Sequence, residues 1–327
     1  MKFCMIGSRG HFQYVFRSIA KTPQIDLIGI SSGCEDSPDA LKFHAEKAGY
    51  SPEIHTDWLE MLDRLQPELV CIDGPFEKHA EMCVESLRRG IHVFCEKPIA
   101  ITLHEADEIE AAWKKGSAHI RSMVGLRYEA PFQQAAALVK AGAIGKIKLI
   151  RSQKSYKLGK RPDFYRKRTT YGGTIPWVGS HAIDWILFFS GADFECVTAF
   201  HDASDNFDHG ELEIVAHCLF RMKNGIIADA GIDYLRPASA ATHGDDRIRI
   251  AGTQGVIEVI NGRLLLIDAN GSRELQVLPP ERELFSDYVT ELLTSRHALV
   301  DDADTIKLAR AVLLARESAD TCKTICF

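Results

Sequence analysis

Across the first third of the chain, short apolar runs alternate with stretches of helical periodicity, and this alternation limits the fold more than any other feature. Lys2–Ile6, Asp26–Ser31, 54–56, 69–73 and His92–Cys95 read as strands. Between them, 12–20, 40–48, Trp58–Leu65 and 79–89 repeat apolar positions at helical spacing, and Gly90 stops the last. Short strands separated by helices predict a parallel sheet covered on both faces. Ligands of such sheets collect beyond the carboxyl ends of the strands. The segments that follow Ile6, Ser31, Asp73 and Cys95 are therefore the ones to read for chemistry.

From about residue 123 the rhythm changes. After a helix at 131–141, the runs 146–156, 195–201, 212–222, 225–234 and 247–261 alternate as strands do, with turn signals at Lys223-Asn224-Gly225 and Asn270-Gly271. Helices at 176–189 and 281–294 flank these strands, and 303–323 closes the chain. The predicted architecture is α/β: a Rossmann-type parallel-sheet domain at 1–122, then an α/β domain with an open, mainly antiparallel sheet at 123–327 for substrate binding and oligomerisation. A length of 327 residues suits two domains, and 46% hydrophobic residues supply two cores. An open sheet with an apolar free face predicts a homodimer or homotetramer.

Charge removes two classes of partner. Lys and Arg number 39 against 45 Asp and Glu, a net −6, so no basic surplus draws the chain to nucleic acid or an anionic membrane. The opening Met1-Lys2-Phe3-Cys4-Met5-Ile6-Gly7 lacks the long apolar region of a signal peptide. The apolar stretch 174–189 contains His181 and Asp184, is interrupted by Gly179, and is too short and polar to span a bilayer. Nine scattered cysteines, including a Cys322/Cys326 pair, match no zinc spacing and read as reduced thiols of a cytoplasmic protein without a metal. The polar stretch 201–209 reads as a hairpin loop, and His243-Gly244-Asp245-Asp246 as another that could rim a site.

Past the first strand the chain reads Gly7-Ser8-Arg9-Gly10-His11-Phe12. A dinucleotide fingerprint places glycines where Arg9 and Phe12 stand, so only Gly7 is in register and Gly10 comes one position late. The context still suits an anion, because a helix N-terminus follows the turn. The second strand ends Ser31-Ser32-Gly33, with no carboxylate there for the adenosine ribose; Glu35 and Asp36 follow closely. NAD and NADP both stay open.

More specific are Val70-Cys71-Ile72-Asp73-Gly74-Pro75-Phe76-Glu77-Lys78-His79 and Gly90-Ile91-His92-Val93-Phe94-Cys95-Glu96-Lys97-Pro98. In these the sequence resembles the Gfo/Idh/MocA family, the glucose–fructose oxidoreductase and inositol dehydrogenase group of nicotinamide-dependent enzymes. The resemblance continues through Gly125-Leu126-Arg127-Tyr128, Gly145-Lys146-Ile147, Gly172-Gly173, His181-Ala182-Ile183-Asp184 and Gly252-Thr253-Gln254-Gly255-Val256-Ile257. It implies a cofactor held by Gly7, Ser8, Arg9, Gly10, His11, Phe12, Ser31, Ser32, Asp73, Gly74, Pro75, His79, Glu96, Lys97, Pro98 and Arg127. It also implies a proton-transfer role for Lys97, supported by Glu96. Proline after Lys97 fixes a non-helical turn, and a partly buried lysine readily shifts its pKa.

His181 and Asp184 share a helix face in an otherwise apolar segment and need partners. Family members usually carry an aspartate four residues before this histidine, completing a Lys-Asp-His set. Here that position is Trp177, which can stack on a sugar ring but not exchange a proton. Asp184 is the candidate for orienting His181. A basic run, Lys154, Lys157, Lys160, Arg161, Arg166, Lys167 and Arg168 with interleaved aromatics, reads as a solvated face or as recognition of an anionic group. Tyr156, Lys157, Arg161, Trp177 and His181 are the expected substrate contacts.

The expected activity is hydride transfer between NAD or NADP and a hydroxyl or carbonyl of a sugar, polyol or sugar-derived acid. Two rivals stand beside it. One is an NAD-dependent glycosidase of the same family. The other is a non-catalytic nucleotide- or sugar-binding descendant, favoured by Arg9, Phe12 and Trp177.

Overall fold

A computed structural model describes residues 1–34, 37–294 and 296–327. The chain divides into two compact units, Met1–Gly125 with Arg282–Ile306, and Leu126–Glu281 with Lys307–Phe327.

The first unit is built on β1 (Lys2–Ile6), β2 (Asp26–Ser31), β3 (Glu53–His55), β4 (Leu69–Ile72), β5 (His92–Cys95) and β6 (Ile120–Ser122). They form one parallel sheet in the order β3-β2-β1-β4-β5-β6, with α1 (Gln13–Ser18), α2 (Asp39–Lys47), α3 (Trp58–Leu65), α4 (His79–Arg88) and α5 (Leu103–Lys115) between strands. Every residue of β4 is buried, as expected of a strand covered on both faces. Asp57 caps α3 by accepting from Leu59 N and Glu60 N, and Thr102 with Glu105 forms a capping box on α5.

A single boundary at 122/123 misses the return of 282–306 to the first unit. Phe285, at the start of α9 (Leu284–Leu293; α6–α8 belong to the second unit), packs on Phe3 of β1 and Phe94 of β5, with ring centroids 5.4 and 5.3 Å apart. Buried Arg121 of β6 ion-pairs with Glu291 and lies 3.4 Å from Asp302. Asp302 in turn accepts from Ile120 N at 3.1 Å. These contacts join residues far apart in sequence, so no local pattern announces them.

The second unit carries β7 (Ile147–Tyr156), β8 (Phe194–Asp202), β9 (Val215–Met222), β10 (Ile227–Asp233), β11 (Gly244–Gly252), β12 (Gly255–Ile260), β13 (Arg263–Asp268), β14 (Gly271–Leu275) and β15 (Ile325–Cys326). Their order is β14-β13-β12-β11-β7-β10-β9-β8-β15. Every neighbouring pair is antiparallel except β7 with β10. The run expected as one strand over 247–261 is two, because the chain turns at Thr253-Gln254 between Gly252 and Gly255. Alternation along β9 is strict, so one sheet face is packed and the other open. Helices α6 (Ala130–Lys140), α7 (Arg168–Tyr171) and α8 (Ser180–Ser190) belong to this unit, and the chain's last helix is α10 (Asp302–Thr321).

Among the described residues, no helix is long and apolar enough to cross a membrane.

Candidate active site

In the first unit, three loops meet where β1, β2 and β4 end. Gly7 takes a φ of +77°, and a Cβ on it would lie 2.5 Å from Gly74 Cα. A Cβ on Gly33 would lie 3.0 Å from Gly7 Cα. Side chains are excluded from this cradle by backbone on every side. It sits at the reversal of strand order, where a doubly wound sheet receives a dinucleotide. The residues therefore fit a nicotinamide dinucleotide at this place.

The loop that follows is organised differently from the sequence expectation. Gly10 N and Phe12 N each donate to the Asp73 carboxylate at 2.7 Å, and Arg9 N donates to the Asp73 carbonyl at 2.8 Å. His11 N donates to Glu96 Oε2 at 3.1 Å, and His11 Nδ1 lies 3.0 Å from the same oxygen. The amides of Gly10, His11 and Phe12, expected to face a pyrophosphate, are thus engaged by two buried carboxylates of the chain. Those carboxylates take the place an anion would occupy at a helix N-terminus. Ser8, Arg9, Gly10 and His11 are all half-exposed.

Glu96 directly follows β5 and links this loop to the lysine. Burial works to raise its pKa; the charge and hydrogen bond of His11, then Lys97 and His79, outweigh burial and hold the carboxyl below its ordinary value. Its other oxygen, Oε1, lies 3.9 Å from Lys97 Nζ and accepts no hydrogen bond among the described residues. Lys97 itself is buried, a setting in which an ammonium needs a counter-charge.

His79, grouped with the cofactor contacts by sequence, is fully enclosed. Its Nδ1 lies 2.9 Å from the Pro98 carbonyl and its Nε2 3.0 Å from the Gly74 carbonyl. Burial holds the imidazole below its ordinary pKa. This histidine ties the loop after β4 to the loop after β5, a positioning part rather than a contact. Gly74, Pro75 and Pro98 are likewise buried. The Ser31 carbonyl accepts from Gly7 N at 2.9 Å while its buried hydroxyl has no hydrogen-bond partner among the described residues; Ser32 is half-exposed. Glu35 and Asp36 lie outside the described residues.

In the second unit, Pro176 interrupts the helical ladder and Ile175–Gly179 winds as a π-turn before α8. Trp177 lies in that turn with its ring 6.1 Å from Tyr165, and His181 lies in the first turn of α8, both buried. Arg127 and Asp184, read from sequence as a cofactor contact and the orienter of His181, are paired with each other. They form a buried bidentate pair, Arg127 Nε donating to Oδ2 at 2.9 Å and Nη2 to Oδ1 at 2.5 Å.

Tyr156, Lys157 and Arg161 do come together. The Arg161 guanidinium carbon stands 4.9 Å from the Tyr234 ring centre and 5.5 Å from that of Tyr165. Its Nε is buried without a hydrogen-bond partner among the described residues. The Tyr156 ring packs 5.0 Å from His243, and Lys157 N donates to the His243 carbonyl at 3.0 Å. The His243 imidazole is held below its ordinary pKa by burial first, then by Arg161, Lys157 and Lys154, with Asp246 opposing.

Lys154, which sequence reasoning left in a charge run, joins this cluster. Its ammonium is buried 2.5 Å from Asp246 and 4.7 Å from the Tyr156 ring centre. Burial pulls its pKa down while Asp246 pulls it up. The available signal was parity, since Ile150, Ser152 and Lys154 share one face of β7.

Comparison with known proteins follows the same division. Residues 1–124 match the oxidoreductase family with an NAD-binding Rossmann fold, and residues 132–258 match the GFO/IDH/MocA C-terminal domain. The chain belongs to the GFO/IDH/MocA oxidoreductases. A solved structure of a presumed oxidoreductase from Thermotoga maritima is 41% identical over the full length of both chains, with a TM-score of 0.95. The myo-inositol 2-dehydrogenase of Thermotoga maritima is 27% identical, covering 78% of this chain and 76% of that one. An uncharacterised oxidoreductase of Bacillus subtilis, YrbE, is 26% identical over 66% of this chain, and the match spans 62% of that protein's length. As a GFO/IDH/MocA member the chain is an NAD-binding oxidoreductase.

Proposed function

We propose that the protein transfers a hydride between a nicotinamide dinucleotide and a carbinol carbon of a sugar, polyol or sugar-derived acid, in the cytoplasm. The observation that carries this reading is the first unit's own arrangement: a Cβ-free cradle and a buried lysine joined through one carboxylate, Glu96, which holds the glycine loop and faces Lys97. When bound, the nicotinamide supplies the hydride acceptor or donor. Ser8 and Arg9 meet its phosphates, Ser31 and Ser32 lie toward the adenosine ribose, and Lys97 exchanges the hydroxyl proton. His181 is the second acid–base group, and Trp177 stacks on the substrate ring. A second copy of the chain covers the open face of the nine-stranded sheet at β9 and β10, where Leu219 and Ile227 are exposed.

The deciding experiment is calorimetric titration of nucleotide-free protein with NADH and with NADPH. Binding of at least one is expected, and the tighter one serves a screen of sugars, polyols and sugar acids for turnover. A folded, nucleotide-free sample that binds neither overturns the dehydrogenase reading and leaves the non-catalytic one.

Among substrates, the concentration of Lys154, Lys157 and Arg161 around His243, opposed by Asp246, favours one bearing a carboxylate. Arg161→Gln is expected to raise KM for a sugar acid roughly 10- to 100-fold, the loss of about 1.5–3 kcal/mol for a hydrogen bond to a charged group. Its kcat, and its KM for a neutral polyol, change little. Equal losses on acidic and neutral substrates would make Arg161 a packing residue against Tyr165 and Tyr234.

A further inference from the structure

β15 is the last strand of the nine-stranded sheet and lies antiparallel to β8, with Ile325 opposite Val197 and Cys326 opposite Cys196. Phe327 N donates to the Glu195 carbonyl at 3.1 Å, which makes 327/195 a hydrogen-bonded pair. The adjacent 326/196 pair is therefore of the non-hydrogen-bonded kind, whose Cα atoms stand about 4.5 Å apart and whose side chains approach most closely. A disulfide spans Cα atoms about 4.4–6.8 Å apart.

Two further observations fix the side chains. One step along the same face, the hydroxyls of Thr198 and Thr324 meet at 2.8 Å, so opposed side chains on this face of the ladder do touch. Val197 is fully buried, so its neighbour Cys196 points to the open face, where it is half-buried and Cys326 is exposed. Of the other thiols, Cys4, Cys71, Cys83, Cys95 and Cys218 are enclosed in the two cores.

We propose that Cys196 and Cys326 are a redox modification site, closing to a cross-strand disulfide that ties the C-terminal strand to β8. The oxidant is a low-molecular-weight disulfide such as oxidised glutathione. Exposed Cys326 loses its proton and attacks that S–S bond, forming a mixed disulfide and releasing one thiol. Cys196 then displaces the second thiol. The protein loses two hydrogen atoms, and the reagent's S–S bond is reduced to two thiols. In a reducing compartment the pair stays open, and an oxidising shift closes it.

The test incubates full-length protein with oxidised glutathione and maps thiols by non-reducing peptide mass spectrometry. The expected product is a peptide pair joined through Cys196 and Cys326, lighter by two hydrogens and opened by dithiothreitol. It persists in Cys322→Ser, whereas Cys196→Ser leaves glutathione on Cys326. A Cys322–Cys326 link, a cross-linked dimer, or stable glutathione on Cys326 of the unaltered protein would overturn the proposal.

Discussion

Asp184→Ala is expected to lower the unfolding free energy by about 3–5 kcal/mol, the cost of breaking a buried ion pair on one side. Arg127 is fully enclosed, and its Nε and Nη2 both donate to the Asp184 carboxylate. Removing that carboxylate leaves the guanidinium in a low-dielectric interior without its bidentate partner, where an uncompensated charge is most costly. Against a typical total of about 5–15 kcal/mol, the loss shows as a large fall in the urea midpoint. Replacing both members with apolar residues, Arg127→Met with Asp184→Leu, is expected to recover much of it, because neither charge then has to be desolvated. The same variant decides what Asp184 does. If Asp184→Ala unfolds at the same urea concentration as the unaltered chain yet loses turnover, the aspartate serves His181, as the spacing of the two residues first suggested.

That contrast shows where sequence reading reaches and where it stops. The parallel sheet was legible because β4 is apolar along its whole length, and β1 and β5 after their first residue, and only a strand covered on both faces needs that. The glycine turn after β1 was legible because Gly7 follows that strand directly. What the loop amides bind was not: Asp73 and Glu96 reach Gly10, His11 and Phe12 from the ends of β4 and β5, more than sixty residues away. Nor was the partner of Asp184, since helical spacing proposes neighbours one turn apart and Arg127 comes from 57 residues upstream. Local pattern places a polar group on a face, and only the assembled fold selects its partner. The departure at Trp177 is a different case. It was visible in the sequence at once, and its consequence depends on whether the remaining groups, Lys97 and His181, suffice for proton transfer.

Lys97→Ala answers that question with the largest kinetic effect expected of any change in the chain. In the proposed mechanism, with no aspartate at position 177, Lys97 carries most of the hydroxyl-proton transfer. General acid–base catalysis contributes about 10²–10⁴-fold, so kcat should fall by that factor. Cofactor affinity should change only a few-fold, because the glycine loop is held by Asp73 and Glu96 and not by the lysine. Lys97→Arg is expected to restore the positive charge beside Glu96 but not the rate, since a guanidinium does not give up its proton in the working pH range. The pair of variants separates an electrostatic role from a proton-transfer role: rescue by arginine would mean that Lys97 only orients a substrate oxygen. Unchanged kcat in Lys97→Ala would remove it from the chemistry altogether and shift the proton to His181, where His181→Gln should then produce the loss instead.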